Sequence, residues 1–132
     1  MNRLKKNKEF IMGYINATSG ALKTRALLEK YNSDRGLVDN IIFFDSVFPK
    51  YEVLVDEILA EGDRVMVRAR LRGRQEGEFL GIPATHKQVE VPYVVGYEVK
   101  NNMIVHSWLI SDLLQFLEQL GVRGVPASQV NR

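Results

Sequence analysis

Few side chains in this sequence can move a proton near neutral pH. The two histidines are His86 and His106, and an imidazole is the side chain whose ordinary pKa lies closest to neutrality. His106 stands in the run Met103-Ile104-Val105-His106-Ser107-Trp108. There it can act as an acid, a base or a hydrogen-bond partner, or simply fill a half-apolar strand. By strand parity Asp112 shares a face with His106, Trp108 and Ile110. Asp112 is also followed three residues later by Gln115, the pattern of a helix-start capping box. A cap and a chemical role do not fully exclude each other. Trp108 offers a large apolar surface with one N–H, suited to a pocket wall or a core. Tyr14 and Tyr93 can present a phenol to a carbonyl oxygen, or pack with a wet tip. Glu57 is a carboxylate on an otherwise apolar face, destined for a cavity, a dimer contact or the end of a sheet. His86 lies beside Lys87 in a polar loop that is either exposed surface or a lid.

Several other chemistries are excluded. The chain has no cysteine, so thiol catalysis and a disulfide scaffold are ruled out and a reducing cytoplasm is a suitable home. Two histidines without a cysteine make an all-protein zinc site improbable. Phosphate loops, dinucleotide fingerprints, zinc-protease helices and serine-nucleophile elbows have no match. The net charge of +2, from 18 basic and 16 acidic residues, argues against nucleic acid or a membrane surface as partner. Arg64, Arg68, Arg70, Arg72 and Arg74 form one row of like parity, but Glu52 and Asp56 are expected opposite it. The row therefore reads as a solvated or dimer-facing sheet surface. The basic start has no apolar stretch after it, and no apolar run is long enough to span a bilayer. A cytoplasmic, soluble protein is expected.

Elements must position these groups. The 132 residues, 45% of them hydrophobic, suffice for one domain with a real core, spanning residues 1–132. Phe10, Ile11, Tyr14 and Ile15 recur at helical spacing before the stop signal Gly20. A second helix is expected around Leu22, Leu27, Leu28 and Tyr31. Asn32-Ser33-Asp34 supplies cap chemistry for a third, carrying Leu37, Ile41, Phe44 and Phe48 up to Pro49. From Tyr51 the period becomes two. Val53, Val55 and Leu59 share a face with Glu57. Glu61-Gly62-Asp63 is a turn, and Val65, Val67, Ala69 and Leu71 follow. A three-residue turn sets Val55 against Ala69, Val53 against Leu71, Asp56 against Arg68 and Glu52 against Arg72. Residues 73–87 form a long loop whose island Phe79–Pro83 tucks onto the core. Strands over 88–100 and 103–110 flank the turn Asn101-Asn102, and a helix over 112–120 ends at Gly121. The tail after it is expected to be loose. Helices, then antiparallel strands, then one helix make an α+β domain whose curved sheet wraps helices and leaves a concave pocket.

Four stretches taken together are similar to the SnoaL-like polyketide cyclase family, of the NTF2-like superfamily. They are Ala60-Glu61-Gly62-Asp63-Arg64-Val65, Gly77-Glu78-Phe79-Leu80-Gly81-Ile82-Pro83, Ile104-Val105 through Trp108 to Asp112-Leu113-Leu114, and Gln119-Leu120-Gly121. Phe48-Pro49 fits as well. The resemblance covers about Phe44 to Gly121. It implies a cone-shaped antiparallel sheet packed on N-terminal helices, a small hydrophobic ligand and a homodimer. It also implies an intramolecular aldol cyclisation, or a related isomerisation or dehydration, with no metal or organic cofactor. On this resemblance Asp112, four residues after Trp108, is the acid/base carboxylate. From their own chemistry, His106 is the expected assistant, and Trp108, Tyr14, Tyr93 and Glu57 are the expected substrate contacts. Two departures stand out. Ser107 replaces a histidine that often precedes the tryptophan, and His106 takes the place of a glutamate. The segment between the second and third helices is also short enough to lack the family's first strand. A non-catalytic pocket for a small hydrophobic molecule, or a dimerisation module with a filled cavity, is the alternative.

Overall fold

Among the described residues the apolar stripes and alternations settle into eight elements. The computed structural model describes residues 2–122. The helices are α1 (Arg3–Thr18), α2 (Arg25–Glu29), α3 (Arg35–Val47) and α4 (Leu113–Gln119). The strands are β1 (Glu52–Glu61), β2 (Arg64–Arg74), β3 (Gln88–Lys100) and β4 (Met103–Ser111), antiparallel in the order β1-β2-β3-β4. Each helix opens on a side chain that satisfies orphan N–H groups: Asn2, Thr24, Asp34 and Asp112. The second helix is shorter than its apolar residues suggest. It begins after Thr24, which leaves Leu22 outside it and exposed. Phe48 lies just past the end of α3 as its C-cap and is fully buried. Between α2 and α3 the chain forms one isolated parallel bridge, Asn32 to Ile104.

The β1–β2 hairpin departs from expectation in one consequential way. Val53 faces Leu71, Val55 faces Ala69 and Glu52 faces Arg72, as the pattern predicts. The register then shifts between Val55 and Glu57. Asp56 is the extra residue of a β-bulge, which turns every later side chain of β1 to the opposite face. Ile58 now pairs with Val67, and the hairpin closes on Gly62-Asp63 alone, with Glu61 opposite Arg64. Leu59, expected inside, is 59% exposed. Glu57 points outward and pairs with Arg68 at 3.5 Å.

The inward row of β2, Val65, Val67, Ala69 and Leu71, meets Tyr97, Val95, Tyr93 and Val91 of β3. These residues, with Ile11, Tyr14 and Ile15 of α1, form the core on the concave side. Outward, Arg70 and Arg72 are paired across strands, and Arg74 is paired with the loop that follows it. Arg70 reaches Asp56 at 3.1 Å and Glu90 at 3.2 Å, Arg72 reaches Glu52 at 3.1 Å, and Arg74 reaches Glu76 at 3.3 Å. With Arg68 on Glu57, four of the five arginines in the row are thus paired with carboxylates. Asn101 and Asn102 both take positive φ in the β3–β4 turn, where asparagine pays less strain than most residues. No helix among the described residues is long and apolar enough to cross a membrane.

Candidate functional site

The curved sheet and the helices enclose a cavity of about 360 Å³, open on one side. Tyr14, Ile15 and Thr18 of α1 form one wall, and Leu37, Ile41 and Phe44 of α3 another. The sheet contributes Val53, Leu71, Val91, Tyr93, Val95 and Tyr97. Ser107, Leu109 and Ser111 border it from β4, and Phe116 from α4. The strand residues come from the inward parity that the alternation sets. β4 is the last strand of the sheet, and its inward residue Leu109 stays exposed. The cavity therefore opens past this edge.

Four phenols face this apolar space: Tyr14, Tyr51, Tyr93 and Tyr97. Burial raises the pKa of each because the phenolate loses its water. For Tyr14 the amide of Asn32 partly offsets the rise. For Tyr51, Tyr93 and Tyr97 the neighbouring phenols add to it. All four stay neutral donors well into the alkaline range. No protein hydrogen bond contributes to the shifts of Tyr93 and Tyr97, whose causes are burial and nearby phenols.

Among the described residues the one lysine on the cavity is already committed. Lys23 Nζ donates to the carbonyls of Ala21 at 3.0 Å and Tyr51 at 2.9 Å, and lies 3.5 Å from Asp45 Oδ1. The ammonium sits 3.9 Å from the centroid of the Tyr51 ring. Asp45 in turn accepts from the backbone N–H of Lys23 at 3.3 Å and of Lys50 at 3.0 Å. Burial lowers the lysine pKa and Asp45 partly restores it. This node ties the loop before α2 to the end of α3 and the start of β1.

The residues singled out from sequence divide between two places. Tyr14, 6% exposed, and Tyr93, 8% exposed, line the cavity. Asp112 does not. It is an exposed N-cap of α4, accepting from Gln115 N at 3.1 Å and from Gln115 Nε2 at 3.2 Å. His106 is exposed on the outer face opposite Glu98. Glu57 was turned outward by the bulge. Trp108 borders the cavity, but its indole lies on the outer face over Gly96, where a Cβ would come within 2.5 Å of it. The loop with His86 packs beside the core rather than over the cavity. His86 Nδ1 is 2.7 Å from Glu76 Oε1, Phe79 packs on the core, and none of residues 75–87 is among the described lining residues.

Sequence reasoning missed Tyr51, Tyr97, Lys23 and Asp45. Tyr97 was recoverable, since it shares parity with Tyr93 on one strand. Lys23 lies outside any regular element, so no periodicity marks it. Among the described residues no group of three or more histidines and carboxylates is placed to hold a metal ion.

This architecture recurs in solved structures. A protein described as a SnoaL-like polyketide cyclase from Jannaschia sp. CCS1 is 24% identical, with a TM-score of 0.77 over 94% of this chain and 99% of its own. TsrD from Streptomyces laurentii is 20% identical, with a TM-score of 0.76 over 93% and 99%. IdmH from Streptomyces antibioticus, described as a polyketide cyclase, is 25% identical, with a TM-score of 0.73 over 89% and 99%. No curated protein sequence matches the chain. The family model for the SnoaL-like polyketide cyclases matches residues 25–120, and the chain belongs to that family.

Proposed function

We propose that the cavity binds a small, mostly apolar carbonyl compound, and that its phenols, rather than Asp112, hold the ligand's oxygens. The observation that carries this reading is the lining: apolar side chains interrupted by four neutral phenols, with the Lys23 ammonium consumed by Asp45 and two carbonyls. Pockets of this composition gain affinity from apolar burial and orientation from a few polar groups. A phenol donated to a carbonyl oxygen also stabilises the enolate that forms when an adjacent C–H is lost. The test is binding of a panel of aryl ketones, followed by mass spectrometry under non-denaturing conditions. Tyr93→Phe is expected to weaken the best ketone about five-fold, the worth of one hydrogen bond. Equal binding by both proteins removes the phenol role.

A second reading is turnover: cofactor-independent cyclisation or isomerisation with Asp112 as acid/base and His106 assisting. Its support is adjacency, since Ser111 lines the cavity and Asp112 follows it directly. The carboxylate would have to leave its cap to reach a ligand. Asp112→Asn keeps a capping side chain and tests this directly. Full retained turnover with an intact fold ends the reading.

The outer face of the sheet is the surface proposed for self-association. Leu59, Trp108 and Ile110 are exposed there. Analytical ultracentrifugation of Trp108→Glu, compared with the unaltered protein, checks this.

A further inference from the structure

We infer that Gln75 is a specificity-determining residue: it holds the loop 75–87, and through Phe79 that loop sets how long a ligand the cavity accepts. The inference rests on the proposed ligand-binding role of the cavity.

Gln75 is fully buried, whereas every other residue of the loop is half-buried or exposed. Its amide fills every bonding position it has. Nε2 donates to the carbonyls of Gly77 and Ile82, both at 3.0 Å. Oε1 accepts from Thr85 N at 3.1 Å and Thr85 Oγ1 at 2.7 Å. A primary amide has two donors and two acceptor lone pairs, so the hub is saturated. Its backbone is also held, with its N–H on the Lys87 carbonyl and its carbonyl on the His86 N–H, both at 3.0 Å. One side chain thus ties the start, middle and end of the loop together.

The loop in turn is clamped to the end of α3. Glu76 N and Gly77 N both donate to the Val47 carbonyl, at 2.8 and 3.2 Å. At Gly77 a Cβ would stand 3.0 Å from the Ser46 carbonyl oxygen, so only glycine allows this approach without adjustment. Phe79 is thereby fixed with its ring centroid 5.5 Å from Phe48, 5.5 Å from Phe116 and 6.2 Å from Phe44. Phe44 and Phe116 line the cavity and Phe79 does not. Phe79 is therefore the layer behind the wall. If it withdraws, Phe44 and Phe116 gain space to move back, and the cavity lengthens.

A hub that merely stabilised the fold would affect all ligands alike. A hub that sets the wall changes the ranking of ligands by length, and that ranking is the readout. The probes are phenyl alkyl ketones of increasing chain length, from acetophenone upward. Wild type is expected to prefer a short chain and lose affinity beyond it. In Gln75→Ala the preferred chain lengthens, each added methylene that finds room gaining about four-fold. Phe79→Leu leaves the hub intact, shortens the ring behind the wall, and should move the preference the same way. It keeps the test decisive if Gln75→Ala does not fold. An unchanged ranking in the folded variants, including uniform weakening of every ketone, overturns the inference.

Xenon separates this from failure of the underlying reading, because it enters apolar cavities without polar recognition. If wild type binds no ketone, the proposed ligand class falls, and xenon affinity alone decides about Gln75. Tighter xenon binding in Gln75→Ala or Phe79→Leu than in wild type supports the inference. Equal binding overturns it.

Discussion

The two faces of the sheet use the same strands for opposite ends. On the concave face Tyr93, Val95 and Tyr97 enclose a cavity with neutral phenols. On the outer face, one residue out of phase, Glu90, Glu98 and His106 stand among ion-paired arginines and an exposed tryptophan. The difference shows that the chemistry of this fold is decided by parity before it is decided by residue type. An imidazole or carboxylate on the wrong parity sits in water, whatever it could do in a pocket. A phenol on the right parity loses its water and becomes a persistent donor.

The largest expected break in this contrast is at the buried ion pair. Asp45→Ala leaves the Lys23 ammonium buried without its carboxylate, which should cost about 3–5 kcal/mol in denaturant unfolding. The outer equivalent, Glu52→Ala beside Arg72, should cost less than about 1 kcal/mol, since both side chains are exposed. Similar costs for the two variants would erase the distinction between the faces.

Alkaline pH attacks only the inner face. Tyr14, Tyr51, Tyr93 and Tyr97 have folded pKa values above the ordinary 10.0. The folded state holds these protons more tightly than the unfolded chain does. Stability from this source is complete below pH 10.0 and is lost as the pH rises through the folded values. Tyrosinate absorbance should therefore appear together with unfolding, and Tyr97→Phe should lessen the alkaline loss. Early ionisation of all four phenols in a folded protein would contradict their burial.

A smaller effect sharpens the contrast at α4. Asp112→Ala should cost about 1 kcal/mol through loss of the cap, whereas Asp112→Asn should cost little. Thermal unfolding of the two variants distinguishes a cap from a site carboxylate.

Much of the architecture was legible in the sequence because it rests on local rules. The alternation from Val65 to Leu71, the Asp34 cap and the paired asparagines each dictate their own geometry. The site was less legible. One unpaired residue at Asp56 sends Glu57 and Leu59 outward, and nothing in the local pattern announces a bulge. Asp112 carried two readings, a cap and an acid, and the spacing to Gln115 favoured the one that the geometry displays. The Lys23–Asp45 node joins residues from a connecting loop and a helix end, a pairing that only the tertiary fold creates.

The central claim is that the phenols, rather than the outer carboxylate, hold the ligand. It is tested by calorimetric titration of one aryl ketone into wild type, Tyr14→Phe/Tyr93→Phe and Asp112→Asn. Two lost hydrogen bonds should weaken the double phenol variant more than about ten-fold, with Asp112→Asn staying within about two-fold of wild type. The reverse order, with binding surviving the loss of both hydroxyls and collapsing in Asp112→Asn, would contradict the account.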